Sequence, residues 1–186
     1  MANTADKQGV RAARRDRLLA AAQGVFSLVG LRAATMEGIA SAAGISKATL
    51  YAYFPDKDAV FEAVARRLGD LMLGRALSAL LDDGDLSGRL QRALMAKHGP
   101  AYDIVVGSAH AAELLAQRDG IAGEVFRNVD AAIEDAMAKA MAEAGIQDGP
   151  RRARVLFDAS IGIGERAHSR KEMEEDLAWL VLKVMG

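Results

Sequence analysis

Apolar residues recur at three- and four-residue spacing along most of the chain, the period of helices with one buried face. From about Arg11 to Val29, the residues Leu18, Ala22, Val25, Phe26 and Val29 form one stripe, and Gly30 supplies a stop. Thr35 is a good N-cap for a short helix to about Ala43, and Gly44 makes a turn. Ser46 caps a second short helix, Lys47 to Tyr53. Asp56 starts a longer helix in which Val60, Phe61, Val64, Leu68, Leu71 and Met72 share a face. Further helices are expected near Ser87–His98, Ala101–Arg118, Gly120–Ala144, Arg151–Gly162 and Lys171–Met185, with loops at Asp82–Gly88 and Ile146–Pro150. Pro55, Pro100 and Pro150 fall where the periodicity breaks and read as helix boundaries. Alternating β-branched runs are missing, so the expected fold class is all-α.

The stretch Thr35–Lys57, TMEGIASAAGISKATLYAYFPDK, has the spacing of a helix-turn-helix. Ala40 sits where two helices come closest, and Gly44, four residues on, occupies a turn where positive φ is often needed. Leu50, six residues further, would bury the second helix against the first, with Ile39 and Ile45 completing a small core. That second helix would offer Lys47, Ala48, Thr49, Tyr51 and Ala52 to a major groove in varying degrees. Thr49 suits a base edge or a thymine methyl; Lys47 suits a guanine edge or, preferably, a phosphate. Tyr51 and Tyr53 carry hydroxyls for the backbone, and Thr35 and Lys57 stand at helix starts suited to phosphate. The candidate DNA-binding set is therefore Thr35, Ser46, Lys47, Ala48, Thr49, Tyr51, Tyr53 and Lys57. A merely buried helix with a polar rim would leave the cluster of two tyrosines and a lysine beside this turn unexplained.

The string Thr35-Met36, Ile39-Ala40, Ala43-Gly44-Ile45-Ser46, Thr49-Leu50-Tyr51, Tyr53-Phe54 and Lys57 resembles the DNA-binding domain of the tetracycline-repressor (TetR) family of bacterial transcriptional regulators. The resemblance covers residues of about 11–65. Ala48 departs from it, since many members carry glycine there. It implies a three-helix helix-turn-helix domain followed by a divergent helical ligand-binding and dimerisation domain, divided here at 1–56 and 57–186, with the helix from about 57 connecting them. It also implies a homodimer on double-stranded DNA and a small-molecule effector that releases it.

Charge is divided unevenly. Residues 1–67 carry ten Lys/Arg against six Asp/Glu, net +4, and the remainder fourteen against nineteen, net −5. A basic head on an acidic body suits a polyanionic partner. Arg11, Arg14, Arg15 and Arg17 form an arm for phosphate or minor-groove contact, with a solvated basic face as the alternative. Apolar residues at 51% and charged residues at 26% are ordinary for a globular protein, and no apolar run approaches a membrane span. No signal-peptide pattern is present, and a cytoplasmic location is expected. With no cysteine, a disulfide framework, a thiol nucleophile and a Cys-based zinc site are excluded.

The second part offers two kinds of candidate. Leu156, Ala159 and Ile163, with Leu177, Leu180, Val181 and Val184, lie on apolar faces of the last two helices and suit a four-helix dimer interface; an intrachain core is the alternative. Met72, Met95, His98, Tyr102, His110, Glu113, Phe126 and Trp179 are candidate lining for an effector pocket, since Met and aromatics suit an adaptable cavity and His or Glu a polar handle. Most apolar residues at such spacing are simply core. His110 and Glu113 stand one turn apart, yet no third ligand is spaced to join them, so no metal is expected. No cofactor motif appears. An enzyme is disfavoured because nothing supplies a nucleophile–base pair or phosphate loop; Ser160 and His168 lack a third member. The expected function is a ligand-responsive repressor on a palindromic operator. The alternatives are an activator of the same fold and a helical DNA-binding module without ligand response.

Overall fold

The computed structural model describes residues 2–106, 108–110, 113–114, 116 and 120–186. Its helices are α1 (Ala2–Ala33), α2 (Met36–Ala42), α3 (Lys47–Tyr51), α4 (Lys57–Leu81), α5 (Leu86–Val106), α6 (Gly123–Glu143), α7 (Gly149–Arg166) and α8 (Arg170–Met185). Among the described residues there is no strand, and no helix is long and apolar enough to cross a membrane.

Two compact units are present. One comprises Met1–Arg67 and Val105–Val125; the other comprises Leu68–Ile104 and Phe126–Gly186. The division falls inside α4, between Arg67 and Leu68. The reason lies in the first turns of α4. Val60 is fully buried, and the Phe61 ring meets Phe26 of α1 edge-on at 5.5 Å between centroids. Burying side chains of this size stabilises by about 1.5–3 kcal/mol each, which fastens these turns to the first unit.

The core of the first unit contains Leu18, Leu19, Ala22 and Phe26 of α1, Ile39 and Ala40 of α2, and Leu50 of α3. Of the expected α1 stripe Leu18, Ala22 and Phe26 are buried and Val25 and Val29 half-buried, and the helix begins at Ala2, earlier than Arg11. Its regular conformation breaks at Gly30, with φ 77° and ψ 167°. The core of the second unit is built from Met72 and Ala76 of α4, Leu90 and Leu94 of α5, Ile133, Met137 and Met141 of α6, Leu156 and Phe157 of α7, and Met173, Leu177 and Val181 of α8.

Pro100 lies within α5, not at a boundary. A proline in a helix interior forfeits one backbone hydrogen bond and crowds the preceding turn. Burial on both sides offsets that cost: Leu90, Ala93, Leu94, Lys97 and His98 are buried before it, and Ala101 and Tyr102 pack on the same core after it. The helix expected at Ala101–Arg118 thus begins as the end of α5, and much of its remainder lies outside the described residues. Pro150 occupies the first turn of α7, where its missing N–H costs nothing.

Candidate nucleic-acid interface

The interface is assembled by local rules. Thr35 is extended at φ −123°, and its Oγ1 accepts a hydrogen bond from the Gly38 N–H at 3.0 Å, capping α2. The end of α2 is closed by Gly44, at φ +64°. The Gly44 N–H donates to the Ser41 carbonyl and the Ile45 N–H to the Ala40 carbonyl, at 3.1 and 3.0 Å. This pair of bonds is a Schellman closure, which requires the left-handed residue in its centre. Ser46 then caps α3: its Oγ accepts from the Thr49 N–H at 3.1 Å. Leu50 is fully buried and fixes which face of α3 points inward.

The opposite face carries Ser46, Lys47, Ala48, Tyr51 and Ala52, all exposed, with Thr49 and Tyr53 half-buried. Several candidates have prior engagements. The Thr49 hydroxyl is hydrogen-bonded to the Ser46 hydroxyl at 2.8 Å, which leaves its methyl group as the simpler contact for a base. Lys57 donates through Nζ to the carbonyls of Leu31, Arg32 and Ala34, at 2.9, 2.9 and 3.3 Å. All three of its donors are directed at the α1–α2 junction, so in this state Lys57 is a strut and not an outward phosphate ligand. Lys47 forms an ion pair with Glu37 of α2, and its ammonium stands 5.8 Å from the centre of the Tyr51 ring. This hydrogen bond holds the Glu37 carboxyl below, and the Lys47 ammonium above, their ordinary values. Glu37 is a residue that spacing did not single out; its only sequence signal is that it is the sole acid between Thr35 and Phe54.

Arg14, Arg15 and Arg17 are exposed on α1, and the Arg15 guanidinium lies 5.8 Å from the Phe54 ring centre. The Arg11 side chain lies outside the described residues.

Residues 18–64 match the family model described as bacterial regulatory proteins, tetR family. The regulator RutR of Escherichia coli strain K12 is 39% identical over 71 residues, covering 38% of this chain and 33% of that protein. The transcriptional activator FasR of Mycolicibacterium smegmatis is 36% identical over 110 residues, covering 52% and 50%. A solved TetR-like transcriptional regulator from Rhodococcus sp. RHA1 is 27% identical, covers 92% of this chain and 95% of its own, and superposes with a TM-score of 0.64. The match to the tetR family model rests on this first segment, residues 18–64. The matched segment spans about a third of the length of RutR.

The pocket candidates are dispersed. His110 and Glu113 belong to the first unit, where Glu113 Oε1 accepts from the Arg32 N–H at 2.6 Å and Ser108 Oγ donates to the Ser27 carbonyl at 2.7 Å. A Cβ on Gly30 would displace the end of the Glu113 side chain, and the φ of +77° there favours glycine. In the second unit Met72 is buried in the core, and Tyr102 and Phe126 pack half-buried against it. His98 is buried, with Nε2 2.9 Å from Ser160 Oγ. Beside it Lys97 is buried, paired with Asp130 and 5.9 Å from the Phe157 ring centre. Sequence reading passed over Lys97 and Asp130, because a polar residue at helical spacing reads as solvated face, and weighed Ser160 only beside His168. Met95 lines a separate open cleft of about 480 Å³ with Gly88, Gln91, Arg92, Arg170 and Glu174. Trp179 is 62% exposed, so it lines no interior cavity.

The dimer candidates divide as well. Leu156, Leu177 and Val181 are buried in the unit's own core and have no surface to offer a partner. They belong to the inward stripe that joins α7 to α8. Ala159 is exposed, and Ile163, Leu180 and Val184 are half-buried. The large apolar residues of these two helices turned outward are Val155, Trp179 and Leu182, at 46%, 62% and 62% exposure; of these Trp179 had been placed in the pocket instead.

Proposed function

We propose that this chain is a ligand-responsive, sequence-specific DNA-binding regulator, acting as a homodimeric repressor that a small molecule releases from a palindromic operator. The observation that carries this reading is the closed turn at Gly44, with α3 anchored by Leu50 on one side and presenting Lys47, Ala48, Tyr51 and Ala52 on the other. Small exposed residues on that face let a helix approach the groove floor, and flanking hydroxyls and cations suit phosphates. The relatives support it, being transcriptional regulators by name. In this reading Thr35 and Ser46 contact phosphate while capping their helices, Tyr51 and the Thr49 methyl read bases, and Lys57 keeps the α1–α2 junction in place.

One five-residue helix reads too few base pairs for useful specificity, which favours a dimer with two heads about 34–36 Å apart. The outward face of α7 and α8, with Val155, Ala159, Trp179 and Leu182, supports a four-helix interface between two copies. The effector is read as binding in the second unit. There the buried Lys97, His98 and Ser160 supply polar handles in an otherwise apolar core. The chain leaves that unit after Ile104, packs with the first unit, and returns at Phe126.

Selection from a random double-stranded DNA library tests the reading. A palindromic winner bound by two chains is the expected result. Failure to enrich any sequence, before and after refolding to remove bound ligand, would overturn it.

A further inference from the structure

We propose that Glu37 is a gate on Lys47: its carboxylate occupies the Lys47 ammonium until the recognition helix is seated on its operator, and so discriminates against non-specific DNA. The inference rests on the reading of α3 as the DNA-contacting helix.

Between Thr35 and Phe54 Glu37 is the sole acid and Lys47 the sole base, so this stretch carries no net charge. The Gly44 turn brings the two together across ten residues of sequence. Both side chains are exposed, at 60% and 52%, on the surface that also carries Ala48 and Tyr51. An exposed pair of this kind adds little to folding stability. Glu37 lies in the first turn of α2, where an acid complements the helix N-terminus, yet a carboxylate on this surface also repels phosphate. Its hydrogen bond to Lys47 keeps both groups charged at neutral pH, since the acid is shifted down and the base up.

Ion accounting gives the consequence. A free lysine that contacts phosphate releases a condensed counterion, which drives non-specific binding. Lys47 must first leave Glu37, which then takes up a cation in its place. Its phosphate contact therefore brings no net ion release. Only a complex that gains base contacts as well has reason to make the exchange. The gate removes about one ion's worth of salt dependence from non-specific binding and leaves operator binding less affected.

The test is a double-mutant cycle on the full chain. Wild type, E37Q, K47M and the double variant are titrated by fluorescence anisotropy against a labelled random-sequence duplex over a salt series. E37Q is expected to bind more tightly than wild type, with its log affinity falling more steeply with log salt by about 0.9. Its advantage over wild type should shrink about 3.5-fold between about 50 and about 200 mM salt. In the K47M background E37Q should leave the salt slope unchanged. An equal gain in both backgrounds would mean that Glu37 acts only through its general field, and no gain in either would mean that it does not act; each overturns the gate while the DNA reading stands. Absence of salt-sensitive binding by wild type would overturn that reading, and the gate with it.

Discussion

At the scale of single residues, the helix-turn-helix depends on a few side chains with local jobs. Gly44 adopts φ +64°, where an alanine costs about 1–2 kcal/mol. Gly44→Ala should lower stability by about that amount, measured as a shift in the urea midpoint, and open space around the residue offers no clash to complicate the result. Tyr51, by contrast, is exposed, and Tyr51→Ala should leave the urea midpoint unchanged while weakening operator binding in an anisotropy titration, by about tenfold if one base or backbone contact is lost. The Glu37 carboxyl should titrate, by carbon-detected NMR, below an ordinary glutamate. The pairing is then lost as pH falls through that depressed value, and K47M should return it upward. These residues were legible because each acts on neighbours within a few positions. Thr35, Gly44 and Ser46 cap or close their own helices, and spacing alone reports that. Lys57 was read as an outward cation because nothing local reveals that its ammonium reaches Leu31, Arg32 and Ala34, more than twenty residues back.

At the scale of elements, existence was readable and partnership was not. The stripe on α8 was correctly seen as apolar, but a single stripe does not say whether its partner is the same chain or another copy. Leu177 and Val181 are turned to the unit's own core, whereas Trp179 and Leu182 on the same helix face out. The two faces should separate on mutation. Leu177→Ala should cost about 2–5 kcal/mol in urea unfolding, as buried leucine truncations do. Leu182→Glu should leave the secondary structure of the isolated chain intact and shift the mass measured by light scattering from two copies to one. Pro100 misled for a related reason. Its local rule ends helices, but the buried residues on both sides of it in α5 outweigh one lost hydrogen bond. In the same way nothing local marks Lys97 as buried, since only the packing of the second unit's helices encloses it.

At the scale of the molecule, a basic segment of residues 1–67 is followed by an acidic remainder, and only the first carries a recognisable short motif. The match to the family model lies at residues 18–64, within the first unit, and the second unit's core is assembled from five helices whose details carry no short motif. Reading the head and failing to read the effector pocket follow from that difference. The central claim, sequence-specific recognition through α3 by paired heads, is tested most directly by comparing a selected palindromic duplex with its scrambled counterpart in anisotropy titrations at physiological salt. The account predicts that the palindrome binds at least about a thousandfold more tightly, with two chains per duplex. Equal affinity for the two duplexes would contradict it.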